Sequence, residues 1–142
     1  MPQPATLGLL LPYPAPDQKT ARTFLVALRR IAAGGVEDAS ATNLVMGSFG
    51  IGYRRPLMFL RVLMQELSRV SKRAIPIAPC CCPRMTEGEA AILRAIDSGT
   101  ANPDAARAAL ARVTGTLDLL PALSVAQALA ASLEDLGRPL IL

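Results

Sequence analysis

The chain has 142 residues, a net charge of +4, 51% apolar residues, only 4% aromatic residues, and neither histidine nor tryptophan. A chain of this length fits one domain that buries roughly two-thirds of the surface its unfolded form exposes, and an apolar fraction rich in alanine and leucine suits helices better than sheets. Without histidine, a Ser-His-Asp triad, a Cys-His dyad and an HExxH zinc site are excluded within the chain, which leaves any acid–base work to carboxylates, Lys, Tyr or Cys.

No apolar run approaches the roughly 18 residues of a membrane span. The Leu7–Leu11 run has no Lys or Arg before it and meets Pro12, Pro14 and Pro16, which makes a poor signal peptide. An odd number of adjacent cysteines is also a poor disulfide framework. A reducing, cytoplasmic setting without a membrane partner is the expectation. Charge is uneven along the chain. Residues 54–84 carry Arg54, Arg55, Arg61, Arg69, Lys72, Arg73 and Arg84 against Glu66 alone, whereas residues 85–142 hold more acids than bases.

Residues 1–16 are expected to form an irregular, proline-rich arm, with Leu7 to Leu11 packed on the body, and residues 17–142 a single helical domain. Asp17 is a suitable N-cap. A first helix is predicted from there to about Ala33, with Phe24, Leu25, Leu28 and Ile31 as its apolar face and Arg22 and Arg29 elsewhere. Gly34-Gly35 ends it. A short second helix over about Val36 to Met46 begins with Glu37 and Asp38. The glycines at 47, 50 and 52 then mark a connection up to Tyr53 that lacks both phosphate-loop spacings.

The third helix is predicted over Arg55 to Ser71, with Pro56 in its first turn. Leu57, Phe59, Leu60, Leu63, Met64, Leu67 and Val70 form one apolar arc, and Arg54, Arg61, Gln65, Arg69 and Lys72 fall opposite. Such a stripe is ordinarily a solvated face. Its functional counterpart is an anion or nucleic-acid surface built from Arg54, Arg55, Arg61, Arg69, Lys72, Arg73 and Arg84, with Tyr53 as the neighbouring aromatic ring.

Pro76, Pro79 and Pro83 each remove a backbone donor and push the preceding residue toward extended geometry. The connector is therefore expected to be stiff and extended, with Cys80 and Cys82 on one face and Cys81 on the other. Beyond it, Thr86 and Glu89 have capping-box spacing, which opens a fourth helix to about Ser98 that buries Ala91, Ile92, Ala95 and Ile96. Asn102-Pro103-Asp104 starts a fifth helix, closed by Gly115. A last helix starts between Pro121 and Val125, buries Leu123, Ala126, Leu129, Ala130 and Leu133, and ends before Gly137.

Three roles suit Cys80, Cys81 and Cys82. Structural zinc wants four ligands, so two cysteines on one face call for zinc or another thiophilic metal shared between chains of a homo-oligomer, or for an acidic residue folded back to complete the set. A disulfide between neighbouring residues is awkward, because adjacent α-carbons lie about 3.8 Å apart, under the usual 4.4–6.8 Å window. A reactive thiol is favoured by Arg84, Lys72, Arg73 and the helix start at Thr86. The sixth residue after each cysteine is Thr86, Glu87 and Gly88 in turn, so no Cys-x5-Arg phosphatase loop exists. The bland alternative is three small buried hydrophobes in a rigid connector.

With Arg54-Arg55-Pro56-Leu57 and Cys80-Cys81-Cys82-Pro83-Arg84-Met85-Thr86 in view, the chain resembles an uncharacterised family of short bacterial proteins. Those proteins carry an Arg-Arg-Pro-Leu helix followed by a Cys-Cys-x-Pro-Arg-Met-Thr segment. The resemblance spans roughly residues 20–98 and brings no activity with it. The expectation is an all-α bundle of five or six helices. Its preferred role is non-enzymatic binding or regulation through a redox-sensing or metal-binding cysteine connector, and the alternative is nucleic-acid binding through the basic stripe.

Overall fold

Helical periodicity in the sequence becomes helix in the fold. The computed structural model describes residues 10–142. Among them α1 spans Lys19–Gly34, α2 Ala39–Phe49, α3 Arg54–Val70, α4 Glu87–Ser98, α5 Pro103–Thr114 and α6 Leu120–Asp135, with a 3-10 turn over Gly50–Tyr53 between α2 and α3. The one sheet among the described residues is minimal: β1 (Tyr13–Pro14) pairs antiparallel with β2 (Arg84–Met85), Tyr13 opposite Met85 and Pro14 opposite Arg84. The chain is an all-α bundle, as its periodicity predicts. No helix among the described residues is long and apolar enough to cross a membrane.

The helices pack because each buries the face its apolar spacing defines. α3 lies along α6, α4 against α5 and α1 against α2, and α4 also touches α6 and α1. Phe24, Leu25 and Leu28 of α1 meet Leu60, Leu63 and Leu67 of α3, Ile92, Leu93 and Ile96 of α4, Leu110 of α5 and Leu129 of α6 in one fully buried cluster. Each such side chain contributes about 1.5–3 kcal/mol by leaving water.

Two boundaries differ from expectation, each for a tertiary reason. Gln18 caps α1 in place of Asp17: its Oε1 accepts from the Ala21 N–H at 2.8 Å and the Ile141 N–H at 3.2 Å, while Nε2 donates to the Pro139 carbonyl at 2.6 Å. The shorter Asp17 could not serve both segments. α2 starts later, capped by Asp38, and runs past Gly47 to Phe49. There the ring packs on Phe24 with centroids 5.9 Å apart, so core packing overrides the weak propensity of Gly47 and Ser48. Where the arm is described it carries one short strand, Tyr13–Pro14. Its ladder is extended by the Ala15 N–H donating to the Pro83 carbonyl at 2.8 Å, and the Arg84 guanidinium donates to the Leu11 and Pro12 carbonyls at 2.8 and 3.0 Å. Leu10 is exposed and Leu11 half-buried, whereas residues 7–9 lie outside the described residues.

Candidate functional site

The connector does not run straight through its cysteines. The Cys82 N–H donates to the Pro79 carbonyl at 3.1 Å and closes a turn over Pro79–Cys82. The physical reason lies in which residues the prolines restrict. Pro79 constrains Ala78 and Pro83 constrains Cys82, so Cys80 and Cys81 are left free to bend. The turn breaks the expected alternation. Cys80 is paired with Cys81, not with Cys82: the two Sγ atoms lie 3.1 Å apart. Cys81 is exposed, whereas Cys80 and Cys82 are half-buried. The expected pairing of Cys80 with Cys82 on one face is thereby replaced, and the alternative of three buried thiols does not hold, since Cys81 is exposed.

What holds this turn is a buried ion pair that the sequence pattern did not single out. Arg29 of α1 is 3% exposed and Glu89 of α4 is fully buried. Arg29 Nε and Nη2 donate to the Glu89 carboxylate at 2.5 and 3.1 Å. The remaining donors reach backbone carbonyls of the cysteine segment: Cys80 at 3.4 Å, Cys82 at 2.9 Å and Arg84 at 2.8 Å. All five guanidinium N–H groups are thus engaged, which is the condition for burying this cation. Glu89 is equally committed. Besides Arg29 it accepts from the Thr86 N–H at 2.9 Å and the Ala78 N–H at 3.3 Å, and Thr86 Oγ1 returns the capping-box bond from the Glu89 N–H at 3.0 Å. Thr86 Oγ1 also donates to the Pro76 carbonyl at 2.7 Å. The cap expected to start α4 therefore also anchors both sides of the connector.

The electrostatics of the thiols differ from expectation too. Cys81 has its pKa pushed up, first by its hydrogen bond with Cys80 and the nearby Cys80 sulfur, then by slight desolvation, with Arg30 and Arg29 opposing. Arg84, expected to activate the thiols, has its guanidinium turned to the arm carbonyls. Among the described residues no three Cys, Asp or Glu side chains gather where a metal could sit, so one turn offers two adjacent thiols, half of a tetrahedral zinc set.

The basic candidates do not form one stripe. Arg61 is half-buried, its Nη2 donating to Thr42 Oγ1 at 2.7 Å and its Nε buried without a partner. Arg69 grips Glu66 with two bonds of 3.0 and 2.6 Å, which hold the Glu66 carboxyl below its ordinary range. Arg54, 5.9 Å from the Tyr53 ring, and Arg55 stand at the start of α3. Lys72 and Arg73 lie past its other end, about 25 Å away for 17 residues at 1.5 Å each.

No curated protein and no solved structure matches the chain. A family model does, over residues 3–138, and the chain belongs to that family, described as "Family of unknown function (DUF6628)".

Proposed function

We propose that the protein is a non-enzymatic regulatory protein whose exposed Cys80–Cys81 pair cycles between dithiol and disulfide in a reducing, cytoplasmic setting. The observation that carries this reading is the 3.1 Å separation of the two sulfurs on a solvent-facing turn. A disulfide across one peptide bond is held under the usual α-carbon spacing. Strained and exposed disulfides are the easily reduced, regulatory ones, so the awkwardness of this bond favours a switch over a staple. The oxidant is a low-molecular-weight disulfide. One cysteine thiolate attacks a sulfur of that disulfide and displaces one thiolate. The neighbouring cysteine, as thiolate, then attacks the mixed disulfide and displaces the second. The protein loses two protons and two electrons, and the small disulfide is reduced to two thiols. Arg29 keeps the turn in register by holding the Cys80 and Cys82 carbonyls.

The test is titration with glutathione disulfide, read by intact mass and peptide mapping. Loss of two hydrogens in one chain, mapped to Cys80–Cys81 and reversed by dithiothreitol, is the expected result. Cys81→Ser should stop at a stable glutathione adduct, and Cys82→Ser should behave as the parent. A disulfide through Cys82, or only intermolecular bonds, overturns the reading. Nucleic-acid binding has less behind it, because Arg61, Arg69 and Arg84 are occupied by protein partners and the remaining cations stand at opposite ends of α3.

A further inference from the structure

The peptide bond between Cys80 and Cys81 is the centre of the turn over Pro79–Cys82. In a disulfide between neighbouring residues that same peptide bond becomes part of the ring. The ring runs through both sulfurs, both β-carbons, both α-carbons, the Cys80 carbonyl carbon and the Cys81 nitrogen. Closing it brings the sulfurs from 3.1 Å to about 2.0 Å. The α-carbons of a trans peptide stay about 3.8 Å apart, short of the disulfide window, so the side chains cannot take up the whole change. The rest falls on ψ of Cys80 and φ of Cys81, the soft dihedrals that turn the peptide plane between them. The Cys80 carbonyl turns with that plane, and it does not turn freely. Arg29 Nη1 donates to it at 3.4 Å and to the Cys82 carbonyl at 2.9 Å, and Nη2 donates to the Arg84 carbonyl at 2.8 Å. On the other side of the turn Glu89 accepts from the Ala78 N–H at 3.3 Å. The buried Arg29–Glu89 pair therefore grips the turn from both sides while its cysteines are free thiols.

We propose that Arg29 is a positioning residue that sets the redox equilibrium of the Cys80–Cys81 pair and carries its state into the core, because the Arg29–Glu89 grip fits the dithiol turn and is loosened by ring closure. This role rests on the dithiol–disulfide chemistry proposed for the pair, in which two thiols give two protons and two electrons to a low-molecular-weight disulfide that leaves as two thiols. Bonding that the grip loses on oxidation disfavours the disulfide, as in any couple whose reduced form is selectively stabilised. The bond to the ring carbonyl is the longest of the three that Arg29 makes to this segment, which sets the expected effect at about ten-fold for one weak, charge-assisted bond. Coupling of this kind is reciprocal, so the disulfide weakens the grip by the same factor. Glu89 passes the change on, since its carboxylate is shared between Arg29 and the Ala78 and Thr86 N–H groups. Those amides tie the connector to the cap of α4. Oxidation at the surface is thereby felt at the junction of α1 and α4.

Redox titration of the full chain in glutathione buffers tests this, with the oxidised fraction counted by intact mass after acid quenching and the bond located by peptide mapping. Arg29→Lys keeps a cation for Glu89 but loses the guanidinium fork that reaches the carbonyls. It should be half-oxidised at a ratio of glutathione disulfide to squared glutathione about ten-fold lower than the parent, a midpoint about 30 mV lower. Leu129→Ala loses stability through a core cavity on α6 and should keep the parent midpoint. Hydrogen exchange on the parent protein gives a second readout that depends on no variant. The Ala78 and Thr86 amides should exchange at least ten-fold faster in the disulfide form, while those in the middle of α6 keep their rates. A mapped Cys80–Cys81 disulfide with equal midpoints in the parent and Arg29→Lys, a higher midpoint in Arg29→Lys, the same shift in Leu129→Ala, or unchanged exchange at Ala78 and Thr86 each overturns the coupling and leaves the redox pair standing. Failure to form that disulfide at any ratio overturns the redox reading itself, and the coupling with it.

Discussion

Arg29→Met keeps the length and most of the volume of the side chain while removing its charge and every donor. The Glu89 carboxylate retains the Thr86 and Ala78 N–H groups but loses its countercharge inside the core, and the carbonyls of Cys80, Cys82 and Arg84 lose a donor. Removing one partner of a buried pair costs about 3–5 kcal/mol. That is a large fraction of the roughly 5–15 kcal/mol that holds a domain folded. With a urea dependence of about 1–3 kcal/mol per M, the midpoint should fall by about 2 M. Glu89→Gln should cost a similar amount by leaving Arg29 charged and unpaired. The double variant Arg29→Met with Glu89→Met should lose less than the two single losses added, because no charge is then stranded. Urea unfolding by circular dichroism measures all three. A single-variant loss under about 1 kcal/mol, or strict additivity, would refute the view that the pair is desolvated and mutually dependent.

Native-state alkylation should label exposed Cys81 before Cys80 and Cys82, with a rate still rising above the ordinary thiol range because its pKa is raised; Cys80→Ala removes the two largest causes and should move that profile to lower pH. Labelling of Cys82 first would contradict the turn. Thr86→Val should cost about 1–2 kcal/mol in thermal or urea unfolding through loss of the cap, and a wild-type value would mean the bonds to Glu89 and Pro76 contribute nothing. Gly88→Ala would set a Cβ 2.5 Å from Ile75 Cγ2 and 3.3 Å from the Pro76 carbonyl, so it should cost about 1–3 kcal/mol as overpacking does. Adding Ile75→Ala should recover part of that loss; failure to do so would place the strain on Pro76.

The helices were legible because their signals are local. Periodic leucines, the Thr86–Glu89 box, Asn102-Pro103 and the left-handed Gly115 with φ of 73° all lie within one or two turns of what they determine. The site was less legible because its determinants are remote. Arg29 lies on the margin of the α1 apolar face, four residues after Leu25, and on a helix wheel it reads as solvated until Glu89, 60 residues later, is placed against it. The clue available in the sequence was a capping-box glutamate inside a strongly apolar helix start. The cysteine pairing failed differently. Pre-proline restriction was extended to Cys80 and Cys81, which precede no proline, and the turn formed where the restriction stops. The charge pattern of α3 could not show that Thr42 would take Arg61 or that the arm carbonyls would take Arg84.

The distance along the chain between Arg29 and Glu89 also orders events during synthesis. At roughly 5–20 residues per second, Arg29 is made about 3–12 s before its partner. Through that interval the guanidinium stays in water at no cost, and the apolar faces of α1 and α3 lack the α4 and α6 surfaces that cover them. The nascent half therefore exposes apolar helix faces beside a basic segment. The desolvation of Arg29 falls due only when α4 docks, so the bond acts as a closing latch. Its loss should accelerate opening of the finished protein far more than it slows closing.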